Sequence, residues 1–180
     1  MTMTEHLGTV LLTERLRLRP PEPSDLDFTL DMYSRPEVVR YIGTGQVQST
    51  RDEALQRLAR YRSQFGPVTG VWLIERRDDA APLGFALMKP IPFSEGVTAE
   101  QSDFEIGWHL HPGAWGSGFA SESAQALVDH ARAGGLQRLV AVTNPANATS
   151  QAVARRLGMT YQGATDRYYN TTCELFTLEL

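Results

Sequence analysis

The sequence predicts a single α/β (α+β) domain in which helices flank one mixed sheet. Three observations predict it. Hydrophobic spacing switches between two residues and three to four residues in the order β-α-α-β-β-β-α-β-α-β-β. The 180 residues, 42% hydrophobic and 21% charged, suit one domain with a sizeable core. No internal repeat, low-complexity tract or interdomain linker breaks the chain, so residues 1–180 read as one unit.

The elements follow in order. Val10–Arg19 alternates Leu12, Leu16 and Leu18 with Arg15, Arg17 and Arg19, a strand with one wet face. Pro20 to Pro23 stop it, and Ser24, Asp25 and Asp27 open a short helix over Leu26–Tyr33. Ser34 and Pro36 read as the cap and first turn of another short helix, which ends near Gly43 and Gly45. Ser49 or Thr50 caps a longer helix whose apolar face is Ala54, Leu55, Leu58, Tyr61 and Phe65. Gly66 and Pro67 end it. Val68–Arg76 and Leu83–Ile91 are strands joined by a polar turn, and Asp103–Leu110 is a third. A glycine-rich turn leads into a helix from about Ser117 to Ala133, closed by Gly134 and Gly135. Gln137–Thr143 is an apolar strand, Ala148–Leu157 a helix with Gly158 beyond it, and two strands near Met159–Gly163 and Thr172–Leu180 finish the chain.

Composition narrows the function. A net charge of -4 argues against general nucleic-acid binding, which needs a basic surface. No apolar run reaches the roughly 18 residues of a membrane span. Met1–Thr9 lacks the basic and apolar regions of a secretory leader, so the expected location is cytoplasmic. The single cysteine, Cys173, excludes an internal disulfide and reads as a packing residue in the last strand. The only lysine is Lys89, before Pro90, a poor setting for imine chemistry. His109 and His111 lack a third ligand at familiar spacing, so no metal is expected.

The most informative segment runs from Asp103 to Glu122: a strand, a tight turn with Gly116 and Gly118, and a helix start. Such a turn presents free main-chain N–H groups at the positive end of a helix dipole, a setting for phosphate or pyrophosphate. Small residues at 116, 118 and 120 let an anion approach the backbone. A P-loop is excluded because the turn holds no lysine, and Ser121 stands where the dinucleotide fingerprint needs Gly or Ala. A plain strand-to-helix turn is the other reading.

These residues resemble the GCN5-related N-acetyltransferase superfamily, in the branch of the ribosomal-protein N-terminal acetyltransferases. The resemblance spans nearly the whole chain. It rests on Thr13-Glu14-Arg15-Leu16-Arg17-Leu18-Arg19, Glu105-Ile106-Gly107-Trp108 and Trp115-Gly116-Ser117-Gly118-Phe119-Ala120-Ser121-Glu122. Asn147-Ala148-Thr149-Ser150 and Arg156-Leu157-Gly158-Met159 complete it. Trp115 stands where the wider superfamily has Gln or Arg. The resemblance implies a mostly antiparallel central sheet, splayed beside Asp103–Leu110. It implies that acetyl-CoA is held by main-chain atoms of Leu110 and His111, by the turn Trp115, Gly116, Ser117, Gly118, Phe119, Ala120 and Ser121, and by Asn147 and Ser150. A helix cap is the alternative for Asn147.

Acetyl transfer needs a neutral amine, so some group must accept its proton. Phe104, Ile106, Trp108 and Leu110 share one face of their strand, and Asp103, Glu105, Gly107 and His109 the other. Glu105 is the candidate base, by its place before the turn and by the resemblance; His109 is a reserve base, with an ordinary pKa near neutrality. The other reading of Glu105 is a solvated residue on a half-exposed strand. Ala154 occupies the position of the superfamily's usual tyrosine acid, and Ser150 is the hydroxyl in its place. The expected partner is an amine, either a peptide N-terminus or a small molecule. A non-catalytic acyl-CoA-binding domain and transfer of a longer acyl group are the alternatives, and a homodimer is left open.

Overall fold

The computed structural model describes residues 8–180, and the reading of the first seven residues lies outside them. The chain opens with β1 (Leu11–Leu12) and β2 (Leu16–Arg19), then α1 (Leu26–Tyr33), α2 (Pro36–Val39) and α3 (Arg51–Arg62). Three strands follow, β3 (Gly70–Arg76), β4 (Pro82–Pro90) and β5 (Phe104–Leu110). The remainder is α4 (Phe119–Ala133), β6 (Arg138–Thr143), α5 (Ala148–Arg156), β7 (Thr160–Thr165) and β8 (Cys173–Glu179). Among the described residues, no helix is long and apolar enough to cross a membrane.

The strands form one open sheet in the order β1-β2-β3-β4-β5-β6-β8-β7. Every neighbouring pair is antiparallel except β5 and β6. One sheet face packs under α4 and α5, where Trp72, Met88, Ile106, Leu127 and Phe176 are buried. The other carries α1 and α3 over Val71, Leu73 and Phe85. This is the single α/β domain with a mixed sheet that the pattern predicts, mostly antiparallel as the resemblance implies.

Two local expectations are corrected and one choice is resolved. Val10–Arg19 is a hairpin, not one strand: Leu11 pairs with Leu18 and Leu12 with Arg17. Thr13 Oγ1 accepts the Leu16 N–H at 2.9 Å and closes the turn. Leu12 is therefore exposed while Leu16 and Leu18 are buried. The residue preceding α2 is Arg35, not Ser34, whose hydroxyl instead donates to the Asp31 carbonyl. Of the two candidate caps for α3, Thr50 serves, in a reciprocal box with Glu53.

The feature that positions the site is the junction of β5 and β6. β5 pairs with β4 along its whole length, yet meets β6 at one position only, Glu105 opposite Val140. Beyond that point the two strands diverge and leave a gap between 106–110 and 141–143. Gly84 of β4 shows which way β5 is drawn. A Cβ added there would lie 2.1 Å from the His109 carbonyl oxygen and 2.9 Å from Leu110 Cα. Only glycine lets the two backbones come this close. Gly84→Ala should therefore force β5 off β4 and destabilise the fold by about 1–3 kcal/mol. A domain of this size should then lose several degrees of melting temperature, and an unchanged melting curve would refute the close-approach account.

Candidate active site

The gap opens toward the turn that joins β5 to α4. His111 N–H donates to the Leu83 carbonyl at 2.9 Å, and the Trp115 indole N–H donates to the Leu110 carbonyl at 3.0 Å. Trp115 N–H donates to Pro112. These main-chain groups of Leu110, His111 and Trp115 are thus engaged in building the turn, which narrows what they offer a ligand. The His111 ring is committed too. Its Nδ1 accepts from Gly113 N–H at 3.0 Å, which leaves the proton on Nε2 to donate to Asp31 at 2.8 Å.

The N–H groups from Gly116 to Ser121 behave differently, having no acceptor among the described residues. Gly116 and Gly118 adopt φ of +74° and +79°, a region closed to most side chains, and Gly118 caps α4. Space lies open above Gly116. The Ser121 hydroxyl is buried without a partner. A row of unpaired donors at the positive end of a 15-residue helix fits a pyrophosphate.

The opening motif holds this turn in place. Glu122, in the first turn of α4, accepts the Thr13 hydroxyl at 2.6 Å and the Arg15 N–H at 2.9 Å. The Arg15 guanidinium pairs with the same carboxylate at 2.7 Å and donates to the Ser117 carbonyl at 3.0 Å. Arg15 is thus a clamp on the glycine turn rather than a member of a solvated row. Arg19 is also engaged, between Asp25 and Glu75.

Glu105 sits at the vertex of the gap. The alternative reading, a solvated residue on a half-exposed strand, does not hold, because Glu105 is only 6% exposed. Its Oε1 pairs with Lys89 at 2.6 Å and accepts the Tyr169 hydroxyl, while Oε2 takes no hydrogen bond. Tyr169 holds φ of +59° and Asn170 +52°, strained for non-glycine residues. The loop keeps that shape by interlocking with 92–95, where Ser94 Oγ accepts the Asn170 N–H and Asn170 Oδ1 the Glu95 N–H. Lys89 and Tyr169 are partners of Glu105 that local pattern cannot supply. One is a cross-strand neighbour in the β4–β5 register, the other a loop contact 64 residues away.

His109 stands on the same face of β5, under α1 and α3. Burial and the charges of Arg57 and Lys89 hold its pKa down to about 3, which weakens it as a base. At neutral pH it takes up no proton. Across the gap, Asn147 caps α5: its Oδ1 accepts the Ser150 N–H at 3.2 Å and its Nδ2 donates to Ser150 Oγ at 3.1 Å. Ser150 is left with a hydroxyl hydrogen to give. Thr143 Oγ1, on the last residue of β6, is buried and unpaired. Burial and the neighbouring Glu174 and Glu105 push the Cys173 thiol up to about 11, which makes it a poor nucleophile. Among the described residues, no group of three or more His, Cys, Asp or Glu could hold a metal ion.

Comparison with known proteins places this geometry. Residues 15–160 match the family model described as an acetyltransferase (GNAT) domain. The chain is 29% identical over 161 residues to an uncharacterised N-acetyltransferase of Bacillus subtilis, covering 88% of this chain and 87% of the relative. It is 28% identical over 171 residues to an FsC-acetyl coenzyme A-N(2)-transacetylase of Aspergillus fumigatus, covering 94% and 72%. In fold it is similar to a ribosomal L7/L12 alpha-N-protein acetyltransferase in complex with coenzyme A, with TM-score 0.75 at 19% identity over 96% and 98%.

Gly118→Val tests the turn. A Cβ at position 118 meets only Arg15 Nη2, at an ordinary 3.5 Å, so the substitution acts through its positive φ. Saturating acetyl-CoA should raise the melting temperature of the parent protein but not of Gly118→Val. Equal shifts would remove the turn from the binding site.

Proposed function

The chain belongs to the GNAT acetyltransferase family and is an acetyl-CoA-dependent N-acetyltransferase; on that premise we propose that it acetylates a primary amine by direct attack in a ternary complex. The observation that carries this reading is the place of Glu105, at the single pairing where the β5–β6 gap closes. The gap runs from that carboxylate to the row of unpaired N–H groups at 116–121. A donor whose phosphates lie on the turn and whose arm follows the gap ends beside Glu105. Acetyl-CoA supplies the thioester, and the chain supplies the rest.

The roles follow from which atoms are free. Lys89 and Tyr169 hold Oε1 of Glu105, so Oε2 receives the amine proton, directly or through a water. The Ser150 hydroxyl, oriented by Asn147, donates toward the departing thiolate. Gly116, Ser117, Gly118, Phe119, Ala120 and Ser121 take the phosphates, with Trp115, Leu110 and His111 shaping the turn. Residues 1–180 act as one domain, in the cytoplasm, and no metal takes part. The acceptor is a protein N-terminus or a small-molecule amine. The finer placement, among the ribosomal-protein N-terminal acetyltransferases, is supported by the fold of one such enzyme.

Glu105→Gln should lower turnover by at least about tenfold, since a general base contributes roughly 10²–10⁴-fold. Acetyl-CoA binding should persist. Raising the pH should recover part of the loss, because more of the amine is then already neutral. Turnover is read as CoA release against N-terminal peptides, polyamines and aminoglycosides, with propionyl-CoA as a second donor. A rate unchanged by Glu105→Gln at every pH refutes the base.

A further inference from the structure

A chain of hydrogen bonds, partly buried at its ends and buried between Tyr33 and Tyr61, runs from the surface of α3 to the face of β5. Arg57 Nε donates to Gln48 Oε1 at 2.5 Å, and its Nη1 donates to the Tyr61 hydroxyl at 2.7 Å. Tyr61 and Tyr33 hydroxyls lie 2.8 Å apart, and Tyr33 lies 3.0 Å from His109 Nδ1. The Arg57 guanidinium also sits 3.8 Å over the Tyr33 ring, so its cation is fixed from two sides.

The direction of the chain follows from counting hydrogens. Arginine has no acceptor and keeps its protons, so Arg57 can only donate to Tyr61. The Tyr61 hydrogen is then free for Tyr33, and the Tyr33 hydrogen for His109 Nδ1. In the reverse direction Tyr61 would accept twice and bury its own hydrogen with no acceptor, an unfavourable state. The imidazole proton is therefore on Nε2, the ring nitrogen without a protein partner. The ring stands edge-on to Tyr33 on the strand that borders the gap, four residues past the β5–β6 contact. Burial and the nearby Arg57 and Lys89 keep it neutral.

We propose that Arg57, through Tyr61 and Tyr33, fixes His109 as a one-way hydrogen-bond donor, and that its Nε2–H holds a carbonyl or hydroxyl oxygen of the acceptor. This rests on reading the β5–β6 gap as the reaction cleft. The side chain stands on the α1–α3 face of the sheet, off the line of the donor arm within the gap, which points to the acceptor. Arg57, Tyr61 and Tyr33 are positioning residues, acting only through His109. The preferred acceptor then carries an oxygen acceptor near its amine, as an N-terminal peptide or an amino sugar does and a plain polyamine does not.

Two measurements test it. In ¹⁵N-histidine-labelled full-length protein, a long-range proton–nitrogen correlation reads the His109 tautomer without any turnover. The parent should show Nε2–H alone, and Tyr33→Phe, which removes the hydroxyl but keeps the ring, should show a mixture of tautomers. A parent in the Nδ1–H form, or an unchanged tautomer in Tyr33→Phe, overturns the proposal. In steady-state kinetics with an N-terminal peptide, His109→Leu should raise the amine KM about tenfold, as loss of one hydrogen bond does. The KM for acetyl-CoA should stay put. A rise confined to the acetyl-CoA KM, or no rise at all, overturns the acceptor contact. If the tautomer is Nε2–H but no amine-dependent CoA release is found, the proposed function and the acceptor contact fall together while the tautomer assignment stands.

Discussion

β5 is shared unequally by its two neighbours, and the rest of the site depends on that inequality. On one edge β4 holds it through seven register positions, the last of them at Gly84, where the backbones nearly touch. On the other edge β6 meets it once. A strand bound so firmly on one side cannot follow its other neighbour, which pairs along its whole length with β8. The gap is thus a consequence of two well-made ladders that diverge. Rigid walls suit a transferase, because the donor arm and the acceptor must meet within a few tenths of an ångström.

The donor end depends on a second long-range contact. The glycine turn has little side-chain bulk to define its shape, and Glu122 beside it would repel a phosphate. Thr13 and Arg15 answer both problems, one by bracing Glu122 and the other by neutralising it and tying down Ser117. The opening Thr-Glu-Arg segment thus gains a physical role that its own alternation does not disclose. Arg15 reaches the same turn from the bend of the N-terminal hairpin, with its charge paired to Glu122.

What the sequence discloses is divided along the same lines. The turn at 116–118, the cap at Asn147 and the box at Thr50 and Glu53 are legible because each is a local arrangement with a fixed spacing. The order of elements along the chain is legible from period alone, whereas the order of strands within the sheet is not. The hairpin at Leu11–Arg19 escapes because a two-residue strand and its turn keep the alternation of one longer strand. The coverage of Glu105 and His109 escapes for a different reason: alternation marks which residues share a face, not what is laid over that face. Here α1, α3 and the loop around Tyr169 cover it, and those contacts span 64 to 76 residues of sequence.

The loop around Tyr169 and Asn170 leaves one more mark on the molecule. On the proposed reading, the phosphate end of the donor lies on one contiguous stretch, from β5 through the first turn of α4, with a brace from the N-terminal hairpin. On the same proposed reading, the acceptor side is bordered by the α1–α3 region and by two interlocked loops, 92–95 and 166–170. Those loops hang from strand ends and are anchored there by Tyr168 and Phe93, which pack in a small cluster with Ile91 and Val140. Changes in them can alter which amine is admitted while the sheet, the turn and the handling of the donor stay intact. A lineage built on this plan can exchange substrates by small steps, with the coenzyme as the part of its chemistry that stays the same.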